Sequence, residues 1–108
     1  MRLKRVLEVG ATPSLERYRL LAKTGILRLI AILFEHGSMP IHRIPRYGVG
    51  VGTVYKSARE ATVLGLVKPY NCGNSVCLEL TEKGKKIGEV LQKLLDVLEE
   101  VIGGVRTA

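Results

Sequence analysis

Two cationic side chains, Lys56 and Arg59, have the spacing that is most readily tied to a chemical task. At about 100° per helical residue, they share an arc of about 60° with Gly52. Polar side chains flank that arc: Thr53, Tyr55 and Glu60. A helix with such a face can enter the major groove of DNA, where it meets base edges and phosphates. An ordinary amphipathic helix with a solvated face fits the same positions.

The opposite side of this predicted helix suits close packing on a core, because small or branched residues recur there at helical spacing: Val54, Ala58, Ala61 and Gly65. Glycines at alternate positions precede the helix, which suits a turn: Gly48, Gly50 and Gly52. This glycine series lacks the Walker pattern and the strand–turn–helix context of a phosphate-binding loop. Since the sequence has no nucleophile–base pair or carboxylate dyad either, we expect neither an enzyme nor a cofactor.

Cys72 and Cys77, with His36 and His42, are the residue types of a zinc site. Their order and spacing match no common zinc pattern, so we expect no metal. The two cysteines could instead face each other across the tip of a hairpin and form a disulfide. Because intracellular disulfides are unusual outside hyperthermophiles, two free thiols are the ordinary alternative.

The charge balance favours a polyanionic partner. Against 10 acidic residues the 108-residue chain has 17 Lys and Arg, which gives a net charge of +7 and a pI near 9.7. A basic protein can also be merely soluble or bind an anionic membrane. The longest apolar run, residues 29–34, is too short for a membrane span, and the basic N-terminus lacks the apolar run of a signal peptide. We therefore expect a cytoplasmic, single-domain protein with no membrane partner.

Helices are predicted before the cationic segment. Thr12-Pro13 is a good start for a helix over residues 13–23, since a capping hydroxyl precedes proline at the first helical position. Thr24 can cap a second helix over residues 26–36, which is apolar nearly all round and should be the most buried element. Residues 38–41 predict an extended link. A helix of little more than a turn follows over residues 41–47, distorted at Pro45 or ending near it.

Two strand-like runs, residues 66–70 and 75–80, surround the turn residues Gly73-Asn74 and predict a β-hairpin. Alternate residues of the second run predict one buried face: Val76, Leu78 and Leu80. Thr81 can cap a long final helix over residues 82–102. Apolar residues repeat along that helix at alternating steps of four and three, as in a coiled-coil seam: Ile87, Leu91, Leu94, Leu98 and Val101. Others widen the seam beyond what one small domain covers: Val90, Leu95, Val97 and Ile102.

The order helix, short helix, helix, hairpin and long helix resembles that of winged helix-turn-helix proteins. Three phrases carry the resemblance: Phe34-Glu-His-Gly37, Thr53-Val-Tyr-Lys56 running on to Leu64-Gly-Leu-Val67, and Leu80-Thr-Glu-Lys-Gly84. They are similar to phrases of MarR-like, PadR-like and related small archaeal winged-helix regulators. The resemblance covers roughly residues 27–91 and departs from the family at Pro45 and at the glycine series.

This resemblance implies a mainly α fold with a small β-hairpin (α+β), in one winged-helix domain over residues 1–108. Its parts are expected to be N-terminal helices (12–36), a helix-turn-helix (40–65), a wing (66–80) and a dimerisation helix (82–102). It also implies sequence-specific binding of double-stranded DNA by a homodimeric transcriptional regulator. An architectural protein that coats DNA and a winged-helix protein-interaction module are the alternatives.

The expected DNA contacts lie in the short second helix, the recognition helix and the wing: Arg43, Arg46, Gly52, Thr53, Tyr55, Lys56, Arg59, Lys68, Asn71 and Asn74. Thr53 can equally cap its helix and Tyr55 can pack, while the two asparagines can simply form turns. The expected dimerisation residues lie on the final helix: Ile87, Val90, Leu91, Leu94, Leu98 and Val101. No site is assigned to residues 1–11.

Overall fold

The computed structural model describes residues 17–103. In chain order these form the 3-10 helix η1 (Leu20–Ala22), helix α1 (Thr24–His36), strand β1 (Met39–Pro40), the 3-10 helix η2 (Ile41–Tyr47), helix α2 (Val51–Val63), strands β2 (Val67–Cys72) and β3 (Ser75–Leu80), and helix α3 (Glu82–Val101). The predicted mainly α fold with a small β-hairpin is confirmed. The predicted helix start at Thr12-Pro13 lies outside the described residues.

Helix α1 runs through the core. Four of its side chains are buried: Ile26, Leu29, Ile30 and Leu33. They pack together with Ile44 of η2, Val54 of α2 and Leu78 of β3. The predicted cap at Thr24 is wrong, because Thr24 is already the first helical residue and Lys23 precedes it without a side-chain cap. The helix begins earlier because the carbonyl oxygen of Lys23 accepts hydrogen bonds from the N–H groups of residues 26 and 27.

The three strands form an antiparallel sheet in the order β1-β3-β2. Residues 39–40 were expected only as an extended link, but they pair with Leu78 and Cys77 at one edge of the sheet. An edge position suits Pro40, which has no N–H to donate. The short helix η2 continues through Pro45 to Tyr47 as a 3-10 helix and ends at Gly48, whose φ is 103°. Pro45 therefore fits within this element.

The hairpin turn is the predicted two-residue turn Gly73-Asn74, with Cys72 opposite Ser75 and a φ of 83° at Gly73. The predicted burial of Val76 is wrong. Val76 is 46% exposed, whereas Cys77 is 4% exposed and Leu78 is 1% exposed. Val76 lies close to the turn and has no partner on β1, whereas Cys77 lies where Pro40 of β1 pairs with β3.

Helix α3 begins with the predicted cap, since the N–H of Gly84 donates to the hydroxyl of Thr81 at 3.2 Å. It packs closely on α1 because Gly88 has no side chain: an added Cβ would lie 2.5 Å from the ring of Phe34. Ile87 and Leu91 pack against the core, while the helix surface beyond Leu91 is largely exposed. None of the helices formed by residues 17–103 is long and apolar enough to cross a membrane.

Two helical glycines give opposite predictions for stability. We expect Gly88→Ala to lower the free energy of unfolding by about 1–3 kcal/mol, since overpacking against Phe34 outweighs the helix propensity of alanine. Gly52→Ala is the matched control, because nothing lies within 4 Å of an added Cβ there. It is expected to raise stability by up to about 1 kcal/mol. Urea denaturation of both variants tests this, and a stabilised Gly88→Ala variant would contradict the assigned packing of α3 on α1.

Candidate nucleic-acid interface

The two faces of α2 are separated as its sequence predicts. Val54 and Ala61 are 0% exposed and Ala58 is 6% exposed, so the small residues face the core. Gly52, Lys56 and Arg59 are exposed on the opposite side. The inner face lies so close to α1 that a Cβ added at Gly25 would collide with the buried hydroxyl of Ser57. The cationic face of α2 is thus presented on a helix whose inner side is firmly seated.

Thr53 and Tyr55 lie at the margins of that face. Tyr55 is 45% exposed, so packing leaves much of its ring accessible. Thr53 is also exposed, but its methyl group lies 2.9 Å from the position of a Cβ added to Gly25 of α1. The alternative that Thr53 caps the helix is wrong, because the N-cap residue is Gly50 and it makes no side-chain cap hydrogen bond.

Arg43 and Arg46 are exposed on η2, and the side chain of Ile44 between them is fully buried. Two contacts fix the ends of this short helix. His42 Nε2 lies 3.3 Å from Ser75 Oγ at the hairpin, and the ring of Tyr47 stacks on that of His36 with centroids 4.3 Å apart. Neither contact could be read from the sequence, since each joins residues that are distant in the chain.

The hairpin extends beside α2 and carries the remaining predicted residues. Lys68, Asn71 and Asn74 are exposed, and Lys68 lies opposite Glu79 with 3.9 Å between the charged atoms. Asn74 is in the turn, whereas Asn71 pairs with Val76 within the strands. The turn-forming alternative therefore holds only for Asn74.

The electrostatics of this side are strongly positive. Glu60 is the only acidic residue between Gly37 and Ser75, and the ammonium group of Lys23 lies 3.3 Å from its carboxylate. Helices η2 and α2 carry four arginines and lysines: Arg43, Arg46, Lys56 and Arg59. In contrast to Lys23, none of them forms an ion pair within the described part of the chain. Three adjacent elements thus present cations, and the two acids among them, Glu60 and Glu79, each lie close to a lysine.

Sequence reasoning missed two exposed apolar residues on the same helix. Val51 is 61% exposed at the start of α2, and Val63 is 85% exposed at its end. Eleven residues at about 100° each bring Val63 to within about 20° of Gly52, so the helical periodicity could have identified it. Apolar side chains on such a face can contact thymine methyl groups in a major groove.

Comparison with solved structures shows which fold this is. AF1382 from Archaeoglobus fulgidus superposes with a TM-score of 0.63 at 20% identity, over 77% of this chain and 97% of that one. NMB1585, a MarR family regulator from Neisseria meningitidis, superposes with a TM-score of 0.65 at 16% identity, over 93% of this chain and 79% of that one. A MarR family transcriptional regulator from Silicibacter pomeroyi superposes with a TM-score of 0.64 at 21% identity, over 95% of this chain and 73% of that one. No protein-family model and no curated protein sequence matches the chain.

The fold is a winged helix. In its terms η2 and α2 occupy the places of the two helices of the helix-turn-helix, α1 is the helix that precedes them, and the β2–β3 hairpin takes the place of the wing. The fold predicted from the three sequence phrases is therefore confirmed.

The wing contains the disulfide that the sequence allowed. The structure places Cys72 and Cys77 as a disulfide, with 5.9 Å between their Cα atoms, which is one of the two states that the sequence allows. The bond closes a short loop around the Gly73-Asn74 turn, beside two of the predicted DNA-contacting residues. Within residues 17–103, no three His, Cys, Asp or Glu side chains are arranged to hold a metal ion.

The disulfide is expected to stabilise the wing. In the chain-entropy model, a cross-link around a loop this short contributes about 2 kcal/mol. We therefore expect a thiol reductant to lower the melting temperature of the wild-type protein but not that of a Cys72→Ser, Cys77→Ser double variant. Thermal melts of both proteins, with and without reductant, make the comparison. A wild-type melt that reductant leaves unchanged, once thiol titration has confirmed reduction, would contradict a stabilising role.

Proposed function

We propose that the protein binds double-stranded DNA sequence-specifically and acts as a homodimeric transcriptional regulator. The observation that carries this proposal is the exposed cationic face of α2, flanked by the cations of η2 and the wing. Two of the structures with this fold are MarR family regulators, which supports a regulatory role. Under this proposal the chain needs no catalytic group or cofactor.

In the proposed complex α2 lies in the major groove. Lys56 and Arg59 reach base edges and phosphates, and Tyr55 contacts the groove wall. Gly52 allows close approach, since nothing lies within 4 Å of the position that its Cβ would take. Thr53 contributes a hydroxyl at the edge of the face, while Val51 and Val63 offer apolar contacts to thymine methyl groups.

The elements on either side of α2 position it on the backbone. Arg43 and Arg46 of η2 contact phosphates, which fixes the register of the domain without reading sequence. Lys68 contacts a phosphate from the wing, in competition with its partner Glu79. Asn71 and Asn74 meet the adjacent minor groove or its backbone.

The α2 face is tested by charge removal. We expect Lys56→Ala with Arg59→Ala to weaken binding to duplex DNA by more than about tenfold and to reduce the salt dependence by about one unit of slope per lost phosphate contact. The thermal melt should change little, because both side chains are exposed. Titrations at two salt concentrations measure the effect.

The matched control is Lys86→Ala with Lys93→Ala, which removes the same charge from exposed positions on α3. This pair is expected to bind nearly as well as the wild type. Equal weakening by both pairs would indicate a non-specific effect of net charge, and unchanged affinity of the α2 variant would refute the proposed docking.

Dimerisation through α3 is proposed from its uncovered apolar surface. Ile87 and Leu91, two of the six predicted dimerisation residues, already pack within the chain. The rest of the stripe is between 39% and 74% exposed: Val90, Leu94, Leu95, Val97, Leu98, Val101 and Ile102. Covering a side chain of this kind recovers on the order of 1 kcal/mol, and a second copy related by a twofold axis is the commonest cover.

A groove between α1 and α3 supports a helix as the covering element. It has a volume of about 360 Å³ and continues the exposed stripe into the core. Apolar side chains line most of it: Leu27, Ala31, Ile32, Leu91, Leu94 and Leu95. We propose that α3 of the partner lies along this groove, which places two recognition helices about one DNA turn apart.

The interface is tested by placing charge in it. Leu94→Glu with Leu98→Glu is expected to give a monomer in light scattering, because two buried carboxylates per chain oppose association. Binding to duplexes with two half-sites should weaken more than binding to a single half-site. Glu89→Gln with Glu100→Gln, at exposed positions of the same helix, is the control and should remain dimeric. A wild-type protein that is monomeric at tens of micromolar would overturn the proposed dimer.

A further inference from the structure

Thr81 lies where the recognition helix, the wing and α3 meet. Its hydroxyl donates a hydrogen bond to the carbonyl oxygen of Gly65 at 2.6 Å and accepts one from the N–H of Gly84 at 3.2 Å. Its own N–H donates to the carbonyl oxygen of Leu66 at 3.0 Å. One residue therefore joins the exit from α2 to the first turn of α3.

The backbone on both sides of this junction is closely constrained. Gly65 has a φ of 77°, and the N–H of Leu66 donates back to the carbonyl oxygen of Ala61 at 2.9 Å, so the end of α2 is fixed relative to Leu66. On the other side, a Cβ added to Gly84 would collide with the carbonyl oxygen of Leu66. The first turn of α3 thus lies directly against the exit of α2.

The angle between these helices has a large effect at a distance. Helix α3 has 20 residues and is about 30 Å long, so a 10° change at its first turn moves its far end by about 5 Å. One base pair of DNA occupies only about 3.4 Å along the duplex. A small change at Thr81 is therefore large enough to alter the separation of two recognition helices by a base pair or more.

We propose that the Thr81 hydroxyl is the positioning group that determines which half-site spacing the dimer accepts. This inference rests on the proposed function, because it requires a homodimer that binds DNA through α2. The bond to Gly65 holds the recognition helix relative to α3, whereas the bond from Gly84 only caps α3. The loss of each bond therefore has a different effect, and it is the bond to Gly65 that sets the half-site spacing.

Three substitutions separate the two bonds. Thr81→Ser keeps both. Thr81→Asp keeps an acceptor for the Gly84 N–H, since aspartate is a good N-cap, but its carboxylate cannot donate to Gly65. Thr81→Val keeps the shape of the side chain and loses both bonds. Each variant is titrated against duplexes that carry one half-site, and against duplexes that carry two half-sites separated by spacers of increasing length.

The wild type and Thr81→Ser are expected to prefer one spacer length. Thr81→Asp and Thr81→Val should accept neighbouring spacers within about threefold of the best one, while affinity for a single half-site stays within about twofold of the wild type. If Thr81→Asp keeps the wild-type spacing profile, the inference is wrong. Should either variant melt too early to be assayed, Gly84→Ala strains the same junction from α3 and must broaden the profile, or the inference fails. A wild type that binds no duplex, or gains nothing from a second half-site, would instead refute the proposed function.

Discussion

Close packing against glycines is the constraint on which this small fold depends. At three helix contacts, a glycine faces a group that any side chain would displace: Gly25 against Ser57, Gly84 against the carbonyl oxygen of Leu66, and Gly88 against Phe34. The contacts at Gly25 and Gly88 bring α2 and α3 close to α1, and the contact at Gly84 brings α3 close to the exit of α2. Glycine is unfavourable within helices, so its use at these places indicates that proximity matters more to the fold than local helix stability.

Because the core side of α2 is composed of small residues, its outer side is free to carry charge. The cations of η2, α2 and the wing lie on adjacent elements, and the two acids nearby, Glu60 and Glu79, are paired with Lys23 and Lys68. The stacked pair His36–Tyr47 and the contact between His42 and Ser75 fix η2 between helix and wing. The same packing that buries α1 therefore also orients the proposed DNA-binding surface.

Much of this architecture could be predicted from the sequence, for reasons that differ between elements. Helical periodicity identified the two faces of α2, and hydrogen-bonding chemistry identified Thr81 as a cap and Gly73-Asn74 as a turn. Local patterns failed where burial depends on distant partners. Strand β1 forms only because β3 lies beside it. Cys77 is buried because it pairs with β1, whereas Val76 has no partner on β1 and is exposed. The start of α1 was misplaced since a capping residue type at Thr24 does not establish that it caps.

The central claim is that the α2 face reads DNA sequence in a twofold-symmetric dimer. Selection of bound fragments from random duplex DNA at a fixed salt concentration tests it most directly. We expect enrichment of one short motif in two inverted copies with centres about 10 base pairs apart, bound at least about a thousandfold more tightly than unselected DNA. Equal affinity for selected and unselected duplexes would contradict sequence-specific recognition and favour an architectural protein. Binding that is weak and insensitive to salt would contradict a DNA-binding role altogether.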